Sequence, residues 1–370
     1  MKRRSSKIIF MFGPGGVGKT TLSSALGISL AAEGLDTLIV TVDPARRLKD
    51  ILRLKEMGFE PVSLKKYFRQ ETGREIEGRL DAMMIDSENA FLNLLKRYIK
   101  DENLIERVVS NRIFRFLSDS VIGAQEYFAA EKIYDIFLMG EYDVIVVDTA
   151  PSKNAFEFID GAGKMAGFLD KKVIRFFVDV PDSESITNLF FRKTGDFLYK
   201  VLGIVFGSEF IADMRDFLGS ISDMYEGLLK RAYELGALYL SDNVRYCIIG
   251  SPQKLCMGEL SHLQKGLRQR GISDITVVIN RAPYFYGREA MAEEINMIMT
   301  KCENSDIKAN LEFILGMEME MLESVKRDMA NQSEISGVRN KVVLPDLYTD
   351  ISGFDQLLKL GDRLRGGIRL

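Results

Sequence analysis

The chain has 370 residues, 46% of them hydrophobic and 28% charged, which suits a globular protein large enough to bury a core without disulfides or a structural metal. Fifty basic residues against 53 acidic ones leave a net charge of −3, so there is no broad basic field to hold nucleic acid and no specific nucleic-acid partner is predicted. A single histidine, His262, and three cysteines without a CxxC pair argue against a His-rich metal centre, a four-cysteine zinc site within one chain, and a Ser-His-Asp triad.

The basic start Met1-Lys2-Arg3-Arg4 leads into an apolar run too short for a signal peptide, and no stretch of about 18 uncharged apolar residues follows. The expectation is a cytoplasmic protein. Lys7 to Phe12 (KIIFMF) is predicted as a buried parallel strand. A glycine loop, Gly13 to Gly18, comes next. Thr20 to Glu33 then places Leu22, Ala25, Leu26 and Leu30 at helical spacing, and Gly34 closes it. Thr37 to Val42 (TLIVTV) is a second strand, which completes a βαβ unit.

Residues 45–140 are mostly helical in pattern, with a short strand at Ala82 to Ile85. Asp143 to Val147, Val244 to Ile249, Ile275 to Ile279 and Lys341 to Leu344 are further strands. Between 152 and 240 no strand interrupts a helical pattern that includes Phe210, Met214, Phe217, Leu218, Ile221, Tyr225 and Leu228. The expected fold is therefore α/β, a mostly parallel sheet flanked by helices. Its α/β domain covers 1–151 and 241–370, and 152–240 form an inserted helical subdomain.

Gly13-Pro14-Gly15-Gly16-Val17-Gly18-Lys19-Thr20 fits the phosphate-loop pattern G-x-x-x-x-G-K-[ST], directly after a strand and at the start of a helix. Glycines let backbone N–H groups converge on phosphate oxygens without a Cβ in the way. The helix start adds positive potential at the same point. Lys19 is the right length to reach the β- and γ-phosphates of ATP, and the hydroxyl of Thr20 is a Mg²⁺ ligand; Thr21 completes the binding segment. Asp148 closes Val144-Ile145-Val146-Val147 where the carboxyl end of a strand meets the ligand crevice, a place for a second Mg²⁺ contact. Asp43 ends the other strand at a comparable place. It is a candidate to orient or deprotonate an attacking water and a second acidic group for the metal.

Gly-Gly-Val-Gly-Lys-Thr-Thr (15–21), Thr-Val-Asp-Pro-Ala (41–45) and Val-Asp-Thr-Ala-Pro (147–151) together resemble the ArsA-like ATPases, the arsenite-pump ATPases and those that deliver tail-anchored membrane proteins. The resemblance implies a P-loop NTPase of the SIMIBI type with a deviant Walker A loop, ATP and Mg²⁺ as cofactors, and a homo- or heterodimer serving a protein client or membrane partner. It implies that Asp43 is the water-activating residue of switch I and that Asp148 to Pro151 are switch II. It also assigns adenine contacts to Asn280, after a late strand, and to Pro345. Asp43-Pro44-Ala45-Arg46-Arg47-Leu48 and Ala124-Gln125-Glu126-Tyr127 look like a bacterial branch of the family.

The sequence departs from the family at three places. The signature lysine early in the loop is replaced by Pro14, with Arg46 and Arg47 the nearest cations in sequence to substitute for it. The CxxC pair of the zinc-clamped targeting factors is missing. Cys247, Cys256 and Cys302 form no evident arsenite cluster, and Cys247 sits in an apolar strand and reads as core. Phe190-Phe191, Phe197-Leu198 and Val201 to Phe206 read as internal packing of the insertion or as a client groove. Met317, Met319 and Met321 read as part of a solvated helix, and His262 as a packing or surface residue of an amphipathic one.

Overall fold

A computed structural model describes residues 6–42, 47–113, 124–150, 155–170, 208–221, 224–287, 289–331, 340–347 and 349–368. The described strands are β1 (Lys7–Phe12), β2 (Thr37–Thr41), β3 (Val62–Ser63), β4 (Leu80–Met84), β5 (Val144–Asp148), β6 (Val244–Gly250), β7 (Ile275–Ala282) and β8 (Asn340–Pro345). The first helices are α1 (Lys19–Ala32), α2 (Arg47–Ile51), α3 (Lys65–Thr72), α4 (Ser87–Tyr98), α5 (Glu102–Ser110) and α6 (Ala124–Met139). The rest are α7 (Ala155–Phe168), α8 (Ser208–Ser220), α9 (Tyr225–Tyr239), α10 (Lys254–Gln269), α11 (Glu289–Met299), α12 (Ser305–Asn331) and α13 (Phe354–Arg365). They group into two compact units, one of residues Met1–Met84, Ile136–Phe156 and Leu240–Leu370, the other of Ile85–Asp135 and Glu157–Tyr239.

The first unit carries the eight-stranded sheet, in the order β3-β4-β2-β5-β1-β6-β7-β8. Only the short β3–β4 pair is antiparallel, so the expected mostly parallel α/β sheet is what the chain forms. The central strands β1, β2 and β5 are buried, mainly apolar runs because both faces are covered. Ile9 and Met11 face a cluster that includes Leu22 and Leu26 of α1 and Leu357, Leu360 and Leu364 of α13. Phe10 and Phe12 turn to the other face and stack on each other at 5.7 Å and on Tyr246 at 5.9 and 6.1 Å. β1 lies centrally, and the chain leaves it toward β2 on one side and later returns as β6 on the other. The crevice at the carboxyl end of β1 is thus the topological switch point of the sheet.

The helix that opens at that crevice is held from behind. Gly361 of α13 approaches α1 so closely that a Cβ there would lie 2.1 Å from the Ala25 carbonyl oxygen. The Ser29 hydroxyl donates to Asp362 at 2.8 Å. The apolar face of α13 is spent on this contact, with Lys359 and Arg363 left exposed on the other side. No described helix is long and apolar enough to cross a membrane. On α12, Met317 and Met321 are exposed, while Met319 packs beside Phe285, Ala292 and Leu322.

The helical unit is built from two separate stretches of chain, so it also takes in residues 85–135, ahead of β5. Its interior contains an ionic network. Arg231 of α9, 7% exposed, donates through Nε to Glu131 at 2.7 Å and through Nη2 to Asp135 at 2.6 Å, both on α6. The Tyr127 hydroxyl donates to the other Glu131 oxygen at 2.5 Å, and Arg97 of α4 meets Asp135 at 2.8 Å. Gly227 lets the Tyr98 ring lie flush on α9, since a Cβ would sit 2.4 Å from the ring. The aromatic segments 190–191, 197–198 and 201–206 lie outside the described residues.

Two outcomes follow from this packing. Gly361→Ala should cost about 1–3 kcal/mol in urea unfolding, because the methyl meets a backbone carbonyl and its helix-propensity gain is smaller than that clash. Burial raises the pKa of Glu131 and Arg231 opposes the rise. In Arg231→Met the opposition is gone, so the carboxyl pKa climbs further and about 3–5 kcal/mol of stability is lost at neutral pH. A raised carboxyl pKa gives stability that is full below the ordinary carboxylate range and lost as pH rises through the raised value. Thermal melts of Arg231→Met should therefore shift upward on acidification from pH 8 to pH 5, by more than those of the wild type.

Candidate phosphate-binding site

The loop after β1 is shaped by what its glycines leave out. At Gly13 a Cβ would lie 2.2 Å from the Ile249 carbonyl oxygen on β6, so the chain enters the loop through a gap that only glycine fits. Gly15 and Gly16 are exposed, and a Cβ at either would meet nothing. The space above them is where a polyanion could approach backbone amides. Gly16 (φ 79°) and Gly18 (φ 94°) adopt the left-handed conformation that glycine tolerates. Gly18 caps α1 without a side-chain hydrogen bond, and the first turn carries no acidic residue. The positive end of a 14-residue helix is thus bare.

Lys19 is only 8% exposed, and its ammonium donates to the carbonyls of Gly13 and Pro14, at 2.9 Å each. It bridges the loop from the inside, and the Val17 side chain of the same loop is buried. Thr20, 8% exposed, follows in the first helical turn, and Thr21 is half-buried beside it.

Asp148 ends β5 fully buried and pairs in register with Met11, two residues before Gly13. Three bonds fix this strand end. The Thr41 hydroxyl donates to the carboxylate at 3.1 Å, the Val42 amide to the Asp148 carbonyl at 3.1 Å, and the Thr149 hydroxyl to the Met11 carbonyl at 2.8 Å. A hydroxyl and a single carboxylate are hard oxygen donors, which suits Mg²⁺ held largely by phosphate and water. The bare glycine cradle and the inward lysine suit the polyphosphate of ATP equally. Among the described residues, no group of three or more His, Cys, Asp or Glu could hold a metal without such help.

Asp43, Pro44, Ala45 and Arg46 lie outside the described residues, as does Pro151; Arg47 is exposed at the start of α2. Asn280 reaches the loop itself, its side-chain amide donating to the Val17 carbonyl at 2.8 Å. Pro345 stands one strand further out, paired with Ala282 across β7 and β8. The structure therefore gathers Gly13 to Thr21, Asp148 and Asn280 around one strand end, and leaves Pro345 at its margin.

Thr41, Thr149 and the Ile249 carbonyl also shape the site; the two threonines lie inside the motifs 41–45 and 147–151 without a role of their own there, and Ile249 lies in none. A threonine at the end of an otherwise aliphatic strand was the available signal for Thr41; nothing local marks Ile249. Cys247 is core, as expected, with burial pushing its thiol up to about 12. His262 is exposed on α10, edge-on to Phe156 at 5.7 Å.

The two kinds of loop glycine separate experimentally. Gly13→Ala should lower the thermal midpoint of the free protein by several degrees. Gly15→Ala should leave it unchanged and weaken binding of Mg-ATP, measured by calorimetry, at least about tenfold by blocking the approach to the amides.

Residues 6–304 match the family model described as anion-transporting ATPase. A putative arsenical pump-driving ATPase of Halobacterium salinarum is 32% identical over 45% of this chain, which spans only 25% of that protein's length. The ATPase ASNA1 homolog 1 of Paramecium tetraurelia is 26% identical over 76% of both chains, and the ATPase GET3 of Malassezia globosa 28% identical over 48% of this chain and 47% of its own. The family match covers most of the sheet and the whole phosphate loop, so the chain belongs to the anion-transporting ATPase family, and these relatives are named ATPases.

Proposed function

We propose that this chain is a cytoplasmic, Mg-ATP-binding and ATP-hydrolysing switch. The observation that carries the reading is the glycine loop with its open upper face, the bare start of α1, and a buried lysine within the loop. Gly13, Gly15, Gly16, Val17, Gly18, Lys19, Thr20 and Thr21 hold the phosphates in this reading, and Asn280 and Pro345 border the base. Thr20 and Asp148 hold Mg²⁺, which when bound neutralises charge on the phosphates. Asp43 would orient and deprotonate the attacking water and serve as a second acidic group for the metal.

The nucleotide state reaches the rest of the protein through two strand ends. Asp43 follows β2, Asp148 ends β5, and the Thr41–Asp148 bond ties the two ends together. Loss of the γ-phosphate releases both loops, and the change passes to the inserted helical subdomain (152–240) and to a dimer face. The client is a protein or a membrane partner, a reading supported by the likeness to GET3-type and arsenical-pump ATPases.

One observation favours a second reading, a nucleotide-binding dimeric scaffold with little hydrolysis. Pro14, where the family resemblance leads one to expect a cation, is buried and apolar. A missing cation at the γ-phosphate removes transition-state stabilisation while leaving ground-state binding intact.

Phosphate release separates the two. Under the first reading wild type turns over Mg-ATP, Lys19→Ala loses nucleotide binding, and Asp148→Asn keeps nucleotide with turnover reduced about 10–100-fold. Tight binding of Mg-ATP with no product formed, alongside an ATP-dependent doubling of mass in light scattering, supports the scaffold. Wild type that binds no Mg-ATP overturns both.

A further inference from the structure

Family resemblance gives Asn280 a contact with the base. Its side chain is engaged elsewhere as well: Nδ2 donates to the Val17 carbonyl, 263 residues away in sequence, at 2.8 Å. That carbonyl belongs to the peptide joining Val17 to Gly18. Because a trans peptide is planar, its C=O and N–H point in opposite directions. Fixing the Val17 oxygen on Asn280 therefore fixes the direction of the Gly18 amide, one of the donors at the start of α1. The same bond holds an acceptor oxygen aside that would otherwise be free to turn toward phosphate and repel it.

The fit is close on both partners. Gly18 has φ 94°, and a Cβ there would lie 2.7 Å from Asn280 Nδ2, so the amide occupies the space that the missing side chain leaves. On β7 the pairing with β8 slips between Ile279 and Ala282, and Arg281 takes φ 57°, an uncommon conformation for a residue with a side chain. Such bulges re-aim the side chains beside them, and strain of this kind concentrates where function requires a set geometry.

We propose that Asn280 is a positioning residue for the phosphate loop, holding the Val17–Gly18 peptide in its phosphate-binding orientation before any base arrives. The amide divides its two ends: Nδ2 serves the loop, and Oδ1 is left to accept from an amino group of the base. The inference rests on the nucleotide-site reading above and goes one step beyond it, because it makes Asn280 matter to a ligand that has no base.

The test is calorimetry with Mg-tripolyphosphate, which has phosphates alone, beside Mg-ATP, on wild type, Asn280→Ala and Asn280→Asp. Tripolyphosphate affinity should fall about tenfold or more in both variants. The loss should be larger in Asn280→Asp, whose carboxylate would face the Val17 carbonyl. Melts of the ligand-free proteins accompany the titrations; should Asn280→Asp fail to fold, Asn280→Ala, which adds no charge, carries the comparison. Unchanged tripolyphosphate binding in a folded variant, with ATP weakened, reduces Asn280 to a base contact and overturns the proposal. So does a wild type that binds ATP but no tripolyphosphate. Wild type that binds neither removes the nucleotide-site reading itself, and this inference with it.

Discussion

A buried ammonium facing two backbone carbonyls is the interaction on which the rest of this structure turns. Lys19 is drawn inward because Gly13 and Pro14 present their oxygens to it across a loop too tight for side chains. A cation in so little water is costly unless its donors are satisfied, and it is an attractive position for a polyanion that can take over those donors. The loop is thus held in shape from within by the two Lys19 bonds. The surrounding architecture serves that shape. The Ile249 carbonyl closes the floor, α13 braces α1 from behind, and the bulged end of β7 brings Asn280 against the peptide at the helix start.

A second device lies next to the first. The ends of β2 and β5 lead into the two segments that the family resemblance assigns as switches, and a hydroxyl–carboxylate bond between Thr41 and Asp148 joins the two strand ends. β5 pairs directly with β1, so the Asp148 end lies beside the strand that opens the glycine loop. The helical unit is pinned internally by the Glu131–Arg231–Asp135 network.

The sequence by itself determined the sheet and the loop. Apolar runs of four to six residues, closed by glycine, aspartate, asparagine or proline, read as strands, and each strand read this way has its counterpart in the sheet. The G-x-x-x-x-G-K-T pattern fixed where phosphate chemistry would sit, because glycine placement and helix start are local properties of consecutive residues. Buried Cys247 and the core role of α1 were legible for the same reason. What only the tertiary structure decided involves residues far apart in the chain. The order of strands around β1, the meeting of Asn280 with Val17, the Ile249 carbonyl beneath Gly13, and the recruitment of residues 85–135 into the helical unit all depend on which surfaces pack together. Local periodicity records that a face is apolar; it carries no information about which distant face will cover it, and that choice is made by the packing of the whole fold.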